Sequence, residues 1–245
     1  MRLVVHLFLS CVLLVPALAA AQAPIDPDEG TLSSVRPRIP EPMVFDLVRP
    51  LGAHRGEFEV NSLFRTSPGT RPRHLLWAPE VEYTFADGHG VEFELPMEDG
   101  RVDSLKLAVQ GTLPGPKPRS FIHGWQGIWE GAVDGGADID VLYLAGLRWS
   151  RQWSVFTMTG VRQSRHTGIA HTLLGNYSLF YHLGKETTLG LETNYSGGGV
   201  DRRRFMLMPQ VHTRRSRYNL QGGIGLVRET GRNHLHLAWR LSREF

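Results

Sequence analysis

Glutamates recur at alternate positions in three early segments: Glu57 and Glu59, Glu80 and Glu82, Glu92 and Glu94. Further along, Lys106, Arg148, Arg162, Arg204, His212 and Arg240 stand at the same alternate positions among apolar neighbours. Side chains two residues apart share a face on a strand but not on a helix. The chemistry open to such a pattern is electrostatic. If carboxylates lined one wall of an enclosed space and Arg148, Arg162, Arg204 and Arg240 the opposite wall, a transverse field would orient dipolar solutes and slow apolar ones. The alternative is that the charges pair across a narrow interior and fill it.

Covalent chemistry finds no comparable pattern. His123, His171 and His212 fall in strand-like stretches, and Ser178 and Ser216 in strand or turn, but no His-x-Ser pair with a nearby carboxylate or amide partner on one face is evident. No catalytic residue is therefore assigned. The histidines lack metal-ligand spacing, so neither a metal nor a cofactor is expected. Ser196-Gly197-Gly198-Gly199 lacks the Lys-Ser/Thr of a phosphate loop and reads as a strand connection, and Arg202-Arg203-Arg204 as a solvated loop. With 27 basic and 24 acidic side chains, the charge is too even to argue for a nucleic-acid partner.

The elements that must position these residues read as strands. From residue 55 the chain shows repeated period-two stretches, and no segment holds a helical period of 3.6. Phe58, Val60 and Phe64 alternate with polar residues, as do Leu75, Trp77, Val81, Tyr83 and Phe85. Asp87-Gly88 marks a hairpin turn before Val91, Phe93, Leu95 and Met97. Twelve such strands are predicted in 55–245. Their length suits a tilted strand crossing a bilayer, about nine to eleven residues, better than a soluble sandwich strand of about five or six. The expected fold is all-β, an antiparallel transmembrane barrel with apolar residues outward and charged residues inward. Phe85, Trp149, Trp153 and Tyr181 sit beside turns and would form an interfacial girdle if those turns share one end. Gly124-Trp125-Gln126-Gly127-Ile128-Trp129 reads as aromatic rings covering strand glycines.

The chain ends frame this region. Residues 1–21 read as a cleaved signal peptide: Arg2, an apolar run from Leu3 to Leu18, then Ala19-Ala20-Ala21. Cys11, the single cysteine, lies within it, which leaves the mature chain without disulfides. Residues 22–54 carry six prolines and read as an extended arm, a plain leader to the barrel, with a plug or partner-binding tail as the alternative. At the other end Leu235, Leu237, Trp239, Leu241 and Phe245 share one face, interrupted by Arg243, and His236, Ala238, Arg240, Ser242 and Glu244 share the other.

A last strand of this kind, ending on Phe, resembles the recognition signal of bacterial outer-membrane proteins. The resemblance implies that Leu237, Trp239, Leu241 and Phe245 are read by the barrel-assembly machinery, and that the protein resides in the outer membrane of a Gram-negative bacterium. Residues 47–97 resemble the opening hairpins of the MetA-pathway-of-phenol-degradation group of outer-membrane proteins. They share a glycine before a Glu-alternating strand (Gly56, Glu57, Glu59), a Glu82-Tyr83 strand, a short turn, and Glu92-Phe93-Glu94-Leu95-Pro96. That resemblance implies a barrel often described as a transporter. The expected function is a channel or transporter-like barrel for a small solute whose identity the sequence leaves open. Its partners would be membrane lipid, the assembly machinery and that solute. The alternatives are a filled structural barrel without conductance, a lipid-modifying outer-membrane enzyme, and a secreted soluble β-protein.

Overall fold

Period-two patterning becomes antiparallel strands throughout. The structure, a computed structural model, describes residues 39–45, 47–115, 120–165, 168–198 and 201–245. The signal-peptide expectation for 1–21, Cys11 included, lies outside the described residues. Fourteen extended segments make twelve strands, because β3 and β4 are each interrupted once. They are β1 (Phe58–Thr66), β2 (Leu75–Ala86), β3 (His89–Glu94 and Met97–Glu98), β4 (Arg101–Val102 and Ser104–Thr112), β5 (Phe121–Ala132) and β6 (Ala137–Arg148). Then follow β7 (Trp153–Arg165), β8 (Ile169–His182), β9 (Thr187–Gly198), β10 (Asp201–Arg215), β11 (Tyr218–Glu229) and β12 (Arg232–Glu244).

Both interruptions have local causes. Pro96 has no N–H to give the ladder, yet the register either side is unchanged, Glu80 opposite Glu94 and Trp77 opposite Met97. In β4 the chain bulges at Asp103, where the N–H groups of Asp103 and Ser104 both point at the Pro96 carbonyl, at 2.9 and 3.4 Å.

Each strand pairs with the next, and β1 pairs with both β2 and β12, so the sheet closes and leaves no edge. The closing seam runs from Glu59 opposite Glu244 to Thr66 opposite Leu237, and the Phe245 N–H donates to the Phe58 carbonyl at 3.0 Å. Outside the seam, Trp77, Phe64 and Trp239 stack across β2, β1 and β12 at centroid spacings of 5.8 and 5.7 Å. Phe245 packs on Phe58 at 5.6 Å, and Arg243 lies over the Phe245 and Tyr218 rings. The departure at Arg243 thus becomes a cation–π contact.

The faces divide as the alternation predicts. On β12, Trp239 and Leu241 are 39% and 49% exposed, whereas Arg240 and Ser242 between and beside them are 1% and 4% exposed. An outward face of this composition is stable against hydrocarbon, not water. Phe85, Trp149, Trp153 and Tyr181 all lie at the end where β1 begins and β12 finishes, here called the terminal mouth, and Trp153 packs on Trp149 and Tyr181. Trp125 folds over Gly111, where a Cβ would come within 2.6 Å of the indole nitrogen.

Candidate functional site

The lumen contains a second piece of chain. Residues 39–53 do not lead past the barrel as a plain leader would. They enter at the terminal mouth, reach mid-height near Met43, and return to begin β1. Met43, Leu47, Val48 and Arg49 are buried to 2% exposure or less. The side chains divide by chemistry. Leu47 and Leu51, with Ile39 and Phe45, pack on the apolar wall of β5–β8, formed by Ile122, Leu142, Leu144, Phe156, Met158, Leu174 and Phe180. Met43 and Val44 pack against Leu63, Ala78, Met206, Met208, Val227 and Ala238. Inward glycines make the room. A Cβ at Gly146 would fall 2.4 Å from Ile39 Cδ1, and one at Gly223 2.8 Å from Met43 Cε.

Polar contacts fix the loop in register. Glu192 on β9 accepts the backbone N–H groups of Met43 and Phe45, each at 2.9 Å, and of Val44 at 3.1 Å. Its Oε1 also accepts from Asn176 and Asn194. Three orphan donors of an irregular turn are thereby satisfied inside the barrel. Arg49 meets the acidic wall, with Glu59 at 2.7 Å, Glu57 at 2.9 Å and Glu82 at 3.5 Å. Gln110 donates to the Arg49 carbonyl, and Gly52 N–H to Thr112 Oγ1. Burial opposes the Arg49 charge, but Glu82, Glu41 and Glu59 outweigh it and leave its pKa above the usual value. Glu41 is pushed up to about 7, first by burial and then by the charge of Glu59, with Arg240 and Arg49 acting against it.

The residues singled out in the sequence fall on this inner face, but not as two facing walls. Glu57 lies at the terminal mouth; Glu59, Glu80, Glu82, Glu92, Glu94, His212 and Arg240 are buried inside. Lys106 sits between Glu92, at 2.9 Å, and Glu94. Closure places β12 beside β1, so Arg240 faces Glu80 at 3.4 Å and Glu41 at 3.8 Å from the same side as the acids, not from across the barrel. Arg162 makes a bidentate pair with Asp140 on β6, both bonds at 2.8 Å, and Asp138 stands 3.4 Å away. Arg148 leaves the wall to cap the turn carbonyls of Ser150 and Arg151 at the rim. Arg204 is half-buried and faces inward. The transverse field is thus broken up by local pairing. Sequence reasoning passed over Arg49, Glu192 and Asp140. Arg49 could have been found, being a cation set in an apolar stretch a few residues before the glutamates. Glu192 could not, because nothing local marks it as the cap for a loop 147 residues away.

Unpartnered amides remain on the inner wall. Both side-chain ends of Gln210, and the oxygens of Gln110 and Gln221, are buried without a protein partner among the described residues. Such groups cost about 1–3 kcal/mol each when left unsatisfied. His171 lies on the outer face and Ser178 on the inner. His123 bonds the Tyr143 hydroxyl at 2.9 Å.

No protein-family model and no curated protein matches this chain. Solved structures do. An outer membrane channel from Pseudomonas putida F1 is 12% identical, with a TM-score of 0.61, over 79% of this chain and 97% of that one. A KdgM porin is 14% identical, TM-score 0.58, over 76% and 99%. A NanC porin is 7% identical, TM-score 0.58, over 76% and 97%. At these identities the likeness establishes the fold, a closed twelve-stranded barrel of the outer-membrane porin type.

Proposed function

We propose that the protein is an outer-membrane channel for a small solute, closed at rest by residues 39–53. The observation that carries this reading is a polar, partly unpartnered wall around a loop that is not part of the wall. A barrel whose only role was to be solid would fill its interior from its own strands. Here the filling is a separate segment held by ion pairs and one carboxylate cap, contacts that can be released as a unit. The ionisable side chains Glu57, Glu59, Glu80, Glu82, Glu92, Glu94, Lys106, Arg162, Arg204, His212 and Arg240 line the path in this reading, with Arg148 at its rim. Leu237, Trp239, Leu241 and Phe245 serve the assembly machinery and then face lipid. The likeness of residues 47–97 to the MetA-pathway-of-phenol-degradation group belongs to the same proposal. One KdgM porin structure contains disordered oligogalacturonate, an example of a solute handled by a barrel of this shape.

The filled structural barrel is the second reading, favoured by how completely the loop occupies the terminal half. Solute flux separates the two. Proteoliposomes carrying protein that lacks residues 22–50 should swell in small sugars or amino acids, while those carrying the full mature chain swell slowly. Equal, negligible swelling of both would leave only the structural barrel.

A further inference from the structure

Among its described residues the loop carries a single cation, Arg49, and the strands hold it in a setting built before it arrives. Across β1, β2 and β3 the register places Glu59 opposite Glu82, and Glu82 opposite Glu92, so that inward carboxylates stand in one row. Like charges directly opposite one another destabilise a ladder, and the row therefore calls for positive charge between its members. Lys106 brings it to Glu92. At the other end of the row it comes from the loop. Arg49 Nη1 lies 2.7 Å from Glu59 and 3.5 Å from Glu82, and Nη2 lies 2.9 Å from Glu57.

The carboxylates are aimed by groups outside the loop. Glu57 Oε1 accepts the His54 N–H at 3.0 Å, and Glu82 Oε1 accepts from Asn61 Nδ2 at 2.5 Å. In each the second oxygen is the one turned to Arg49. The site is also graded from the mouth inward: the side chains of Glu57, Glu59 and Glu82 are 35%, 10% and 1% exposed. A cation entering by the terminal mouth meets Glu57 first, while Arg49 still holds Glu59. Release of the loop takes Arg49 away. Glu57, Glu59, Glu80, Glu82, Glu92 and Glu94 then keep Lys106 and Arg240 alone of the cations now paired with them. An enclosed wall of that sign draws in small cations. Two terminal nitrogens of one planar group on separate carboxylates is a guanidinium fit, which the point charge of an ammonium does not reproduce.

We propose that Glu57, Glu59 and Glu82 form a binding site for the guanidinium group of a small solute, and that Arg49 occupies this site at rest as the chain's own stand-in. The proposal rests on the channel reading, and names its substrate class and the way that substrate unseats the loop. A solute of this class competes with Arg49. Because it binds only once Arg49 has left, it raises the released fraction by a factor of 1 + [L]/Kd, without any contact to the rest of the loop.

The test uses the full mature chain in detergent micelles with three probes: L-arginine, L-lysine, and L-citrulline, whose neutral urea has the shape of the guanidinium. In the Arg49→Ala variant, isothermal titration calorimetry should show L-arginine binding saturably at one site, L-lysine more weakly and L-citrulline not at all. Adding Glu59→Gln should weaken L-arginine about tenfold, as expected for charge-assisted hydrogen bonds. Adding Glu186→Gln, at the same mouth on the β8–β9 turn, should leave it unchanged. In the unaltered chain, hydrogen exchange at Met43, Val44 and Phe45 should quicken with L-arginine, about tenfold at ten times the Kd measured in the variant. These amides are capped by Glu192 and not by Arg49, so they report release of the loop and not a local change at the site. No binding to the variant, or equal binding of L-citrulline or L-lysine, overturns the proposal. So does exchange in the unaltered chain that L-arginine leaves unmoved, which would make the Arg49 socket a structural one closed to solutes, or that sodium chloride of the same ionic strength moves equally. Folding of each variant is checked by the heat-shifted gel migration of a closed barrel. Should Arg49→Ala not fold, the exchange experiment on the unaltered chain decides alone. Release by L-arginine with no swelling of proteoliposomes in L-arginine would sink the channel and spare the site; swelling in neutral sugars without release by L-arginine would do the reverse.

Discussion

The two halves of the lumen use the same residue types to opposite ends. In the terminal half, charges on the wall meet charges on the loop: Arg49 takes Glu57, Glu59 and Glu82, and Glu41 takes Arg240. In the far half the charges belong to the wall alone: Arg204 faces inward opposite Glu229 across the β10–β11 ladder, and no loop residue reaches it among the described residues. Lumen charges that pair with a separate segment and those that stay within the wall therefore cannot be told apart by type or spacing. They differ in whether a piece of chain outside the strands supplies the counter-charge.

The largest way to break this contrast is to remove the terminal half's principal cation. Arg49→Ala leaves Glu59 and Glu82 buried without it, a loss of about 3–5 kcal/mol for breaking a buried pair. Hydrogen exchange at Met43, Val44 and Phe45, slow while Glu192 caps them, should accelerate by about a hundredfold or more. Unchanged exchange would mean that the apolar contacts alone seat the loop. Next in size is Leu47→Ala, which opens a cavity against the β5–β8 wall and should cost about 2–5 kcal/mol of seating. Loop exchange should quicken with it, and unchanged exchange would show that the polar contacts alone seat the loop. Smaller again is Trp239→Ala, on the outer face. It removes the Phe64–Trp239 ring stack across the seam, worth about 0.5–1.5 kcal/mol beyond area. The thermal midpoint should fall while loop exchange is preserved.

The remaining effect is that of pH. Glu41 titrates near 7 when seated, against an ordinary 4.5, so the seated loop binds its proton more tightly than a released one. Its contribution is full below the ordinary value, declines as pH rises towards 7, and is flat above. Glu59, Glu244, Arg49 and Arg240 are the charges facing it. Glu57 acts in the opposite sense: burial opposes its ionisation, but the His54 amide and Arg49 hold its pKa below the usual carboxylate value. Seating should therefore weaken about tenfold or more between pH 5 and 7.5 and also at strong acidity, read as loop exchange rate. A monotonic rise in protection with pH would contradict the Glu41 assignment.

Strand count, closure and the inversion of faces were legible in the sequence, because period two is a local signal repeated twelve times. The girdle was legible because the turn residues mark which strand ends coincide. The loop was not. Its prolines at 40, 42 and 50 read as punctuation, and its apolar residues alternate with no period that names a partner. Pairing partners were also hidden: Arg162 was visible, but that Asp140 rather than a distant glutamate would meet it depends on the β6–β7 register. Arg240 read as belonging to an opposite wall because a linear chain does not show that its last strand lies beside its first.

The central claim is that residues 39–53, and not the strands, close this barrel. The direct measurement is single-channel conductance in planar bilayers of the full mature chain beside the chain lacking residues 22–50. The account predicts rare, brief openings for the first and sustained, uniform steps for the second. Equal conductance, whether both open or both silent, would show that the loop does not control the path.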